Sequence, residues 1–353
     1  MDHQPARNMP SEQLEGLLGL DQLVDLSLQF HAESAAAPTQ SPYLLIDLNS
    51  ESAHPAYESQ QLGDWLQHQA VPVIGYLRNE ETPNALIAKV DLVVNRIGEL
   101  NRLTTNIAKN PISSMILVQV LRNTEQLDVQ QALTLESLAY STLQSGAEFA
   151  SWLKGFRESQ SGIKDPVGSS NSSPAVLLSR QQDVLTIQLN RPETRNAFSM
   201  EMRDGLFEAF QMLAMDNSIN KATVSGLGAC FCTGGDLLEF GRFTNPADAH
   251  RVRTLSLPSR LLAEHVSRVE FRLHGACIGS GIEIPAFANR VIAQRKTFFQ
   301  LPEIAMGLIP GAGGCVSIPR RIGRQRTAYL ALSGKRINAS TALEWGLIDA
   351  IVD

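Results

Sequence analysis

Cysteine is scarce in this 353-residue chain: there are four, Cys230, Cys232, Cys277 and Cys315, all in the C-terminal half. They make no CxxC pair and no repeated spacing, and no histidine lies near Cys230 and Cys232 to complete a zinc set. The residues therefore read as buried thiols in a reducing compartment, and no metal is expected. Long apolar runs are also missing, since no stretch approaches the roughly 18 residues of a membrane span. The start, MDHQPARNMPSEQLEG, lacks the basic-then-apolar order of a secretory signal. Lysine and arginine form no cluster of the kind that gives a nucleic-acid footprint, and the net charge is −6. The expectation is a soluble cytoplasmic protein with neither nucleic acid nor membrane as partner. Hydrophobic residues make up 43% and charged residues 19%, an ordinary globular balance that excludes a disordered, collagen-like or coiled-coil chain. At roughly 150 residues per domain, the length suggests two domains.

The clearest break is SQSGIKDPVGSSNSSP, residues 159–174, where Ser, Gly, Asn and Pro accumulate and no apolar period survives. That composition predicts a flexible linker. Residues 1–158 read as a mainly helical domain, with short strand candidates at Tyr43–Asp47 and Val71–Leu77. The segment from Gln131 to Leu153 predicts one long helix or two, with Leu135, Leu138, Ala139, Thr142 and Leu143 as its apolar stripe. Residues 175–353 change rhythm. Ala175–Leu178 and Val184–Leu189 are short apolar runs joined by polar residues, a hairpin signal. Ser199 is placed to cap a helix carrying Leu206, Phe207, Phe210 and Leu213. Strands at Ala222–Ser225 and Val269–Leu273 then alternate with helices, which predicts an α/β fold with a parallel sheet.

Two glycine-rich turns stand where strands hand over to helices: FCTGGDLLE (231–239) and HGACIGSGIE (274–283). Glycine there frees backbone N–H groups to point at a ligand, and facing N–H donors make an oxyanion hole. Taken singly, each turn is equally plain turn geometry. Two carboxylates sharpen the reading. Glu283 lies three residues after Ser280 in the first helical turn, and Glu303 follows the strand-like TFFQLP. Carboxylates converging on an apolar pocket can have their proton affinities pushed apart, giving one acid and one base. In isolation Glu283 would merely stabilise a helix start and Glu303 would face solvent.

The ordered runs NRPETRNAFSMEM (190–202), FCTGGDL (231–237), LHGACIGSGIEI (273–284), LPEIAMGLIPGAGG (301–314) and RRIGRQRTAYLALSGKRINASTALEWGLIDAIV (320–352) resemble the enoyl-CoA hydratase/isomerase family, the crotonases. The resemblance implies a crotonase-like ββα spiral over residues 175–353 and an acyl-CoA enzyme. It implies that the Gly235 and Ser280 amides hold the thioester oxygen as it becomes an enolate. Glu283 and Glu303 match the hydratases' acid/base pair, and Arg195, Ala197, Gly234, Asp236 and Leu237 would line the CoA nucleotide. Beyond the substrate's own CoA moiety no cofactor is implied. Ser280 departs from the usual glycine, and His274 stands where Asn or Asp is commoner. The leading expectation is hydration of a 2-enoyl-CoA or the reverse dehydration. Alternatives are double-bond isomerisation, other chemistry of this family such as cofactor-independent oxygenation, and a non-catalytic CoA-thioester-binding subunit. The family's trimers or pairs of trimers imply a homo-oligomer.

Crotonases continue past the GLIDAIV point into helices that cover the acyl pocket. Residues 107–156 resemble that covering segment, through the IAxxP start and the run LESLAYSTLQSGAEF. Upstream, DWLQHQAVPVIGYL (64–77) and VDLVV (90–94) echo LAEHVSRVEFRLHG (262–275) and ANRVIA (288–293), without a glycine-rich turn and glutamate between them. The N-terminal half reads as an eroded crotonase-like copy that supplies lid and oligomerisation helices, the alternative being an unrelated helical domain.

Overall fold

The computed structural model describes residues 16–29, 41–50, 59–79, 85–160, 173–242 and 245–353. The chain divides into two compact units, Met1–Ala108 and Lys109–Asp353. Compositional reading placed the break at residues 159–174, of which 161–172 lie outside the described residues.

The first unit is α/β, which corrects the mainly helical expectation. Strands β1 (Leu17–Leu18), β2 (Leu44–Asp47), β3 (Val73–Tyr76) and β4 (Leu92–Val94) form a parallel sheet in sequential order. Helices α1 (Leu20–Gln29), α2 (Ser59–Gln67) and α3 (Ile97–Lys109) accompany it. Strands β2 and β3, buried at every position, fall within the expected Tyr43–Asp47 and Val71–Leu77, whereas β1 and β4, two and three residues long, leave little period to detect. Leu23, Leu44, Ile46, Leu66, Val73 and Val90 form its core.

In the second unit the helices come first: α4 (Pro111–Thr124), α5 (Val129–Gln144) and α6 (Ala147–Gln160). Asp128 caps α5 by accepting from Gln131 N at 2.9 Å. The start of α4 is capped from a distance, because Glu148 of α6 accepts from Ile112 N at 2.7 Å and Ser113 N at 3.0 Å. The predicted α5 stripe is out of phase: Leu138 is 48% exposed and Thr142 faces solvent, whereas Ala132, Leu133, Glu136, Ser137, Ser141 and Leu143 are buried. The buried face of this helix is half polar because it covers a polar site.

The antiparallel hairpin β5 (Val176–Gln181) and β6 (Val184–Leu189) forms as expected. Ser199 caps α7 (Met200–Met215), its Oγ accepting from Met202 N at 3.2 Å. Then come β7 (Lys221–Gly226), α8 (Pro246–Ser256), α9 (Pro258–Leu262), β8 (Val269–Leu273), β9 (Ala276–Ile278), α10 (Ser280–Glu283), β10 (Arg290–Gln294) and β11 (Phe298–Gln300). The chain closes with α11 (Gly314–Ile322), α12 (Arg324–Ser333), β12 (Ile337–Asn338), α13 (Ala339–Trp345) and β13 (Ala350–Val352). One sheet has the order β13-β10-β8-β7-β6-β5, parallel except at the hairpin, and a smaller one the order β12-β11-β9. The run β10-β8-β7-β6 is sequential and parallel, as β4-β3-β2-β1 is in the first unit. Helix α11 packs on both α4 and α5, and Thr124 Oγ1 donates to Cys315 O at 3.0 Å. Among the described residues no helix is long and apolar enough to cross a membrane.

Candidate active site

The two glycine-rich turns lie side by side because Cys232 and Cys277 pair as an isolated parallel bridge. Cys232 N donates to Ala276 O at 3.2 Å and Ile278 N to Cys232 O at 3.1 Å. Just beyond this bridge, the amides of Gly235 and Ser280 donate to no acceptor among the described residues. Both line a cavity of about 180 Å³ together with Glu283 and Glu303. The Ser280 side chain points its hydroxyl to within 3.9 Å of Cys232 Sγ, so its backbone, rather than its Oγ, is the free donor. All four cysteines are buried free thiols, and burial pushes the Cys232 thiol up to about 11.

Glu283 ends the short helix α10 and is 2% exposed. Its Oε2 accepts from Ala312 N at 2.7 Å and Gly314 N at 3.0 Å. Burial nevertheless raises its pKa from 4.5 to about 7, against the lowering effect of those amides. Glu303 opens the 3₁₀ turn Glu303–Met306 after β11. Its Oε2 is buried and has no hydrogen-bond partner among the described residues. Burial first, and the neighbouring Glu283 second, raise its pKa well above the usual carboxylate value. Gly279 stands between them with φ +52: a carbon in place of its hydrogen would lie 2.6 Å from Glu303 Oε1 and 3.6 Å from Glu283 Oε1. A side chain there would be strained by the backbone and would fill the space the carboxylates share.

A third carboxylate was not anticipated from the sequence. Glu136 of α5, 1% exposed, accepts from Gly313 N at 2.7 Å and Cys315 N at 2.8 Å. The four amides from Ala312 to Cys315 thus alternate between Glu283 and Glu136. Gly313 takes φ +107 in this loop, a left-handed conformation that favours glycine. Burial, then Glu283, raises the Glu136 pKa well above the usual value. Tyr140, one helical turn on, lines the cavity with its ring packed on Gly311 and under the Arg253 guanidinium. Phe240 lines the cavity and is covered by Trp152 of α6, ring centroids 6.0 Å apart. The signal that could have found Glu136 was the polarity of the LES run itself, since a glutamate flanked by Leu133 and Ser137 on a buried face needs partners.

The other expected residues gather elsewhere. Phe198 pairs with Gly235 as an isolated bridge, Phe198 N donating to Gly234 O at 2.8 Å and Thr233 N to Arg195 O at 3.3 Å. Arg195, Ala197, Gly234, Asp236 and Leu237 are thereby brought together next to the cavity, with Arg195 exposed. The Asp236 carboxylate is engaged locally, accepting from Leu238 N at 3.0 Å. His274 bonds Gly228 O at 3.0 Å.

Two amides without an acceptor among the described residues and a carboxylate pair thus line one cavity beside the strand ends. Residues 179–353 match the model of the family described as enoyl-CoA hydratase/isomerase. The chain belongs to that family and is an enoyl-CoA hydratase/isomerase-like enzyme with a crotonase-like α/β fold. It is 32% identical over 176 residues to 2,3-dehydroadipyl-CoA hydratase of Escherichia coli (strain K12), covering 50% of this chain and 68% of that one. It is 34% identical over 179 residues to 1,2-epoxyphenylacetyl-CoA isomerase of the same organism, covering 49% and 68%. Identity is 28% over 248 residues, covering 67% and 71%, to the mitochondrial Delta(3,5)-Delta(2,4)-dienoyl-CoA isomerase of Mus musculus.

Proposed function

We propose that this enzyme adds water to a 2-enoyl-CoA, or runs the reverse dehydration, through a thioester enolate. Water attacks C3 of the conjugated thioester while Glu283 takes a proton from it. The charge that develops on the thioester oxygen is received by the Gly235 and Ser280 amides, each such donor contributing on the order of 10²- to 10³-fold. Glu303 then gives its proton to C2. Arg195, Ala197, Gly234, Asp236 and Leu237 hold the CoA nucleotide, and no cofactor is needed beyond that CoA. The observation carrying this reading is the unequal carboxylate pair beside two open amides. Glu283, with its pKa at about 7, is poised as the base near neutral pH. Glu303, whose Oε2 has no amide to favour its ionised form among the described residues and whose pKa burial and the neighbouring Glu283 raise well above the usual carboxylate value, keeps the proton that an acid must donate.

One observation favours isomerisation as the second reading. Glu283 accepts from two amides, whereas Glu303 Oε2 has no partner among the described residues, and a single unengaged carboxylate is enough to move a proton between C2 and C4. The test is turnover of the purified protein on short, long and aryl 2-enoyl-CoA thioesters, followed by loss of the conjugated absorbance, with Glu303→Gln beside it. Hydration predicts a loss of at least about 10²-fold in the variant. Near-full activity in Glu303→Gln overturns hydration.

A further inference from the structure

Arg253 of α8 lines the cavity and is half-buried, yet among the described residues no carboxylate lies within 4.0 Å of it. Its neighbours are neutral. Nη2 donates to Ser141 Oγ at 2.6 Å and Gln144 Oε1 at 3.0 Å, Nε donates to Ser137 Oγ at 3.3 Å, and the guanidinium carbon sits 4.4 Å above the Tyr140 ring. Nη1, with its two N–H donors, has no acceptor among the described residues. Arg203, the other cavity arginine, is instead paired with Asp204 at 2.6 Å. The acidic groups bearing on Arg253 are Tyr140 first and then Glu136, which has already accepted two amides. A half-buried cation without a direct counter-ion is costly, and its free Nη1 reaches the cavity where a ligand can meet it. Burial indeed pulls its pKa below the usual arginine value.

Position says which part of a ligand would meet it. With the acyl-CoA reading, on which this inference rests, the carbonyl lies at the Gly235 and Ser280 amides and C2 and C3 lie at Glu283 and Glu303. The wall left for the rest of the acyl group is that of α8, formed by Ala249, Val252 and Arg253. Three of the guanidinium's donors are fixed by α5, so the Nη1 donors are oriented before any ligand arrives, and one of them can give a carboxylate a single charge-assisted hydrogen bond. We infer that Arg253 binds a carboxylate at the distal end of the acyl group, so that the substrates are mono-CoA thioesters of dicarboxylic acids.

The experiment is calorimetric titration of the full chain with a saturated dicarboxylic mono-CoA thioester and with the methyl-terminated thioester of equal length, over several lengths. At one length or more the carboxylate-ended ligand should bind at least about 10-fold more tightly, and in Arg253→Gln that ratio should fall to about 1. Arg253→Lys, which keeps the charge but not the donor direction that α5 sets, should retain part of it. The CoA phosphates are common to both ligands and cancel in the ratio. A ratio near 1 in the unaltered protein at every length overturns the inference and leaves the acyl-CoA reading standing. So does a ratio that survives in Arg253→Gln while both affinities fall together, since that is the mark of a structural role. Absence of binding by any thioester overturns both.

Discussion

Replacing Glu283 by Gln should destroy activity and stabilise the protein, and both effects follow from one burial. The native state holds this carboxyl 2% exposed with a pKa of about 7, against 4.5 for the unburied group. At about 1.4 kcal/mol per pH unit, ionising it inside the fold costs about 3 kcal/mol. Because the folded pKa is the higher one, protonation supports the fold fully below about pH 4.5, and this support is lost as the pH rises through 7. Glutamine does not titrate. Its oxygen can take the place of Oε2 and accept from Ala312 and Gly314. The stability difference in favour of Gln should therefore be small near pH 4.5 and grow to as much as about 3 kcal/mol at pH 8. At roughly 2–4 °C per kcal/mol for a unit of this size, the melting temperature should rise by about 6–12 °C. Thermal denaturation of both proteins at several pH values between these limits measures it, and hydration rates on the same samples should fall at least about 10²-fold. Equal melting at pH 8, or a difference that widens as the pH falls, refutes the reasoning.

Gly235→Pro should abolish turnover by removing the N–H that faces the thioester oxygen, whereas Ser280→Gly should keep most of it, because only the main chain is invoked there. A Ser280→Gly loss as large as that of the glutamate changes would show that the hydroxyl takes part. Residues 175–353 expressed alone should be insoluble or inactive, since they lack α5 and leave the Gly313 and Cys315 amides without their acceptor, at about 1–3 kcal/mol each. Full-length rates from that fragment would refute a covering role for the helices, and supplying residues 1–165 in trans tests whether the site reassembles.

Much of the second unit was legible because its signals are local. The β5–β6 hairpin, the Ser199 cap and the two glycine turns are each decided within about ten residues, and Glu283 and Glu303 sit at turns that such signals place. What stayed hidden depends on distance along the chain. Glu136 meets Gly313 across 177 positions, and the α5 stripe was read by apolarity alone, so Leu138 was turned inward when the helix in fact presents Glu136, Ser137 and Tyr140 to the site. The covering helices were recognised through the resemblance of residues 107–156, yet Ser- and Gly-rich composition drew the boundary after them. Packing draws it before them, at Ala108 and Lys109, because α4 and α5 bury their faces against α11. A linker composition marks where a chain can bend, not which elements share a core.

The alternation of amides from Ala312 to Cys315 gives that packing a chemical consequence. Two buried carboxylates separated by one short loop repel each other and resist ionisation, and each is held by two N–H dipoles from the same four residues. Tilting the loop toward either carboxylate loosens the other, so the position of α5 and the proton affinity of Glu283 are not independent. Arg253 strengthens the link, since it binds α5 through Ser137, Ser141 and Gln144 and stands over Tyr140. The helices that precede the core in sequence therefore supply Glu136, the acceptor for two of the four amides whose other two hold Glu283.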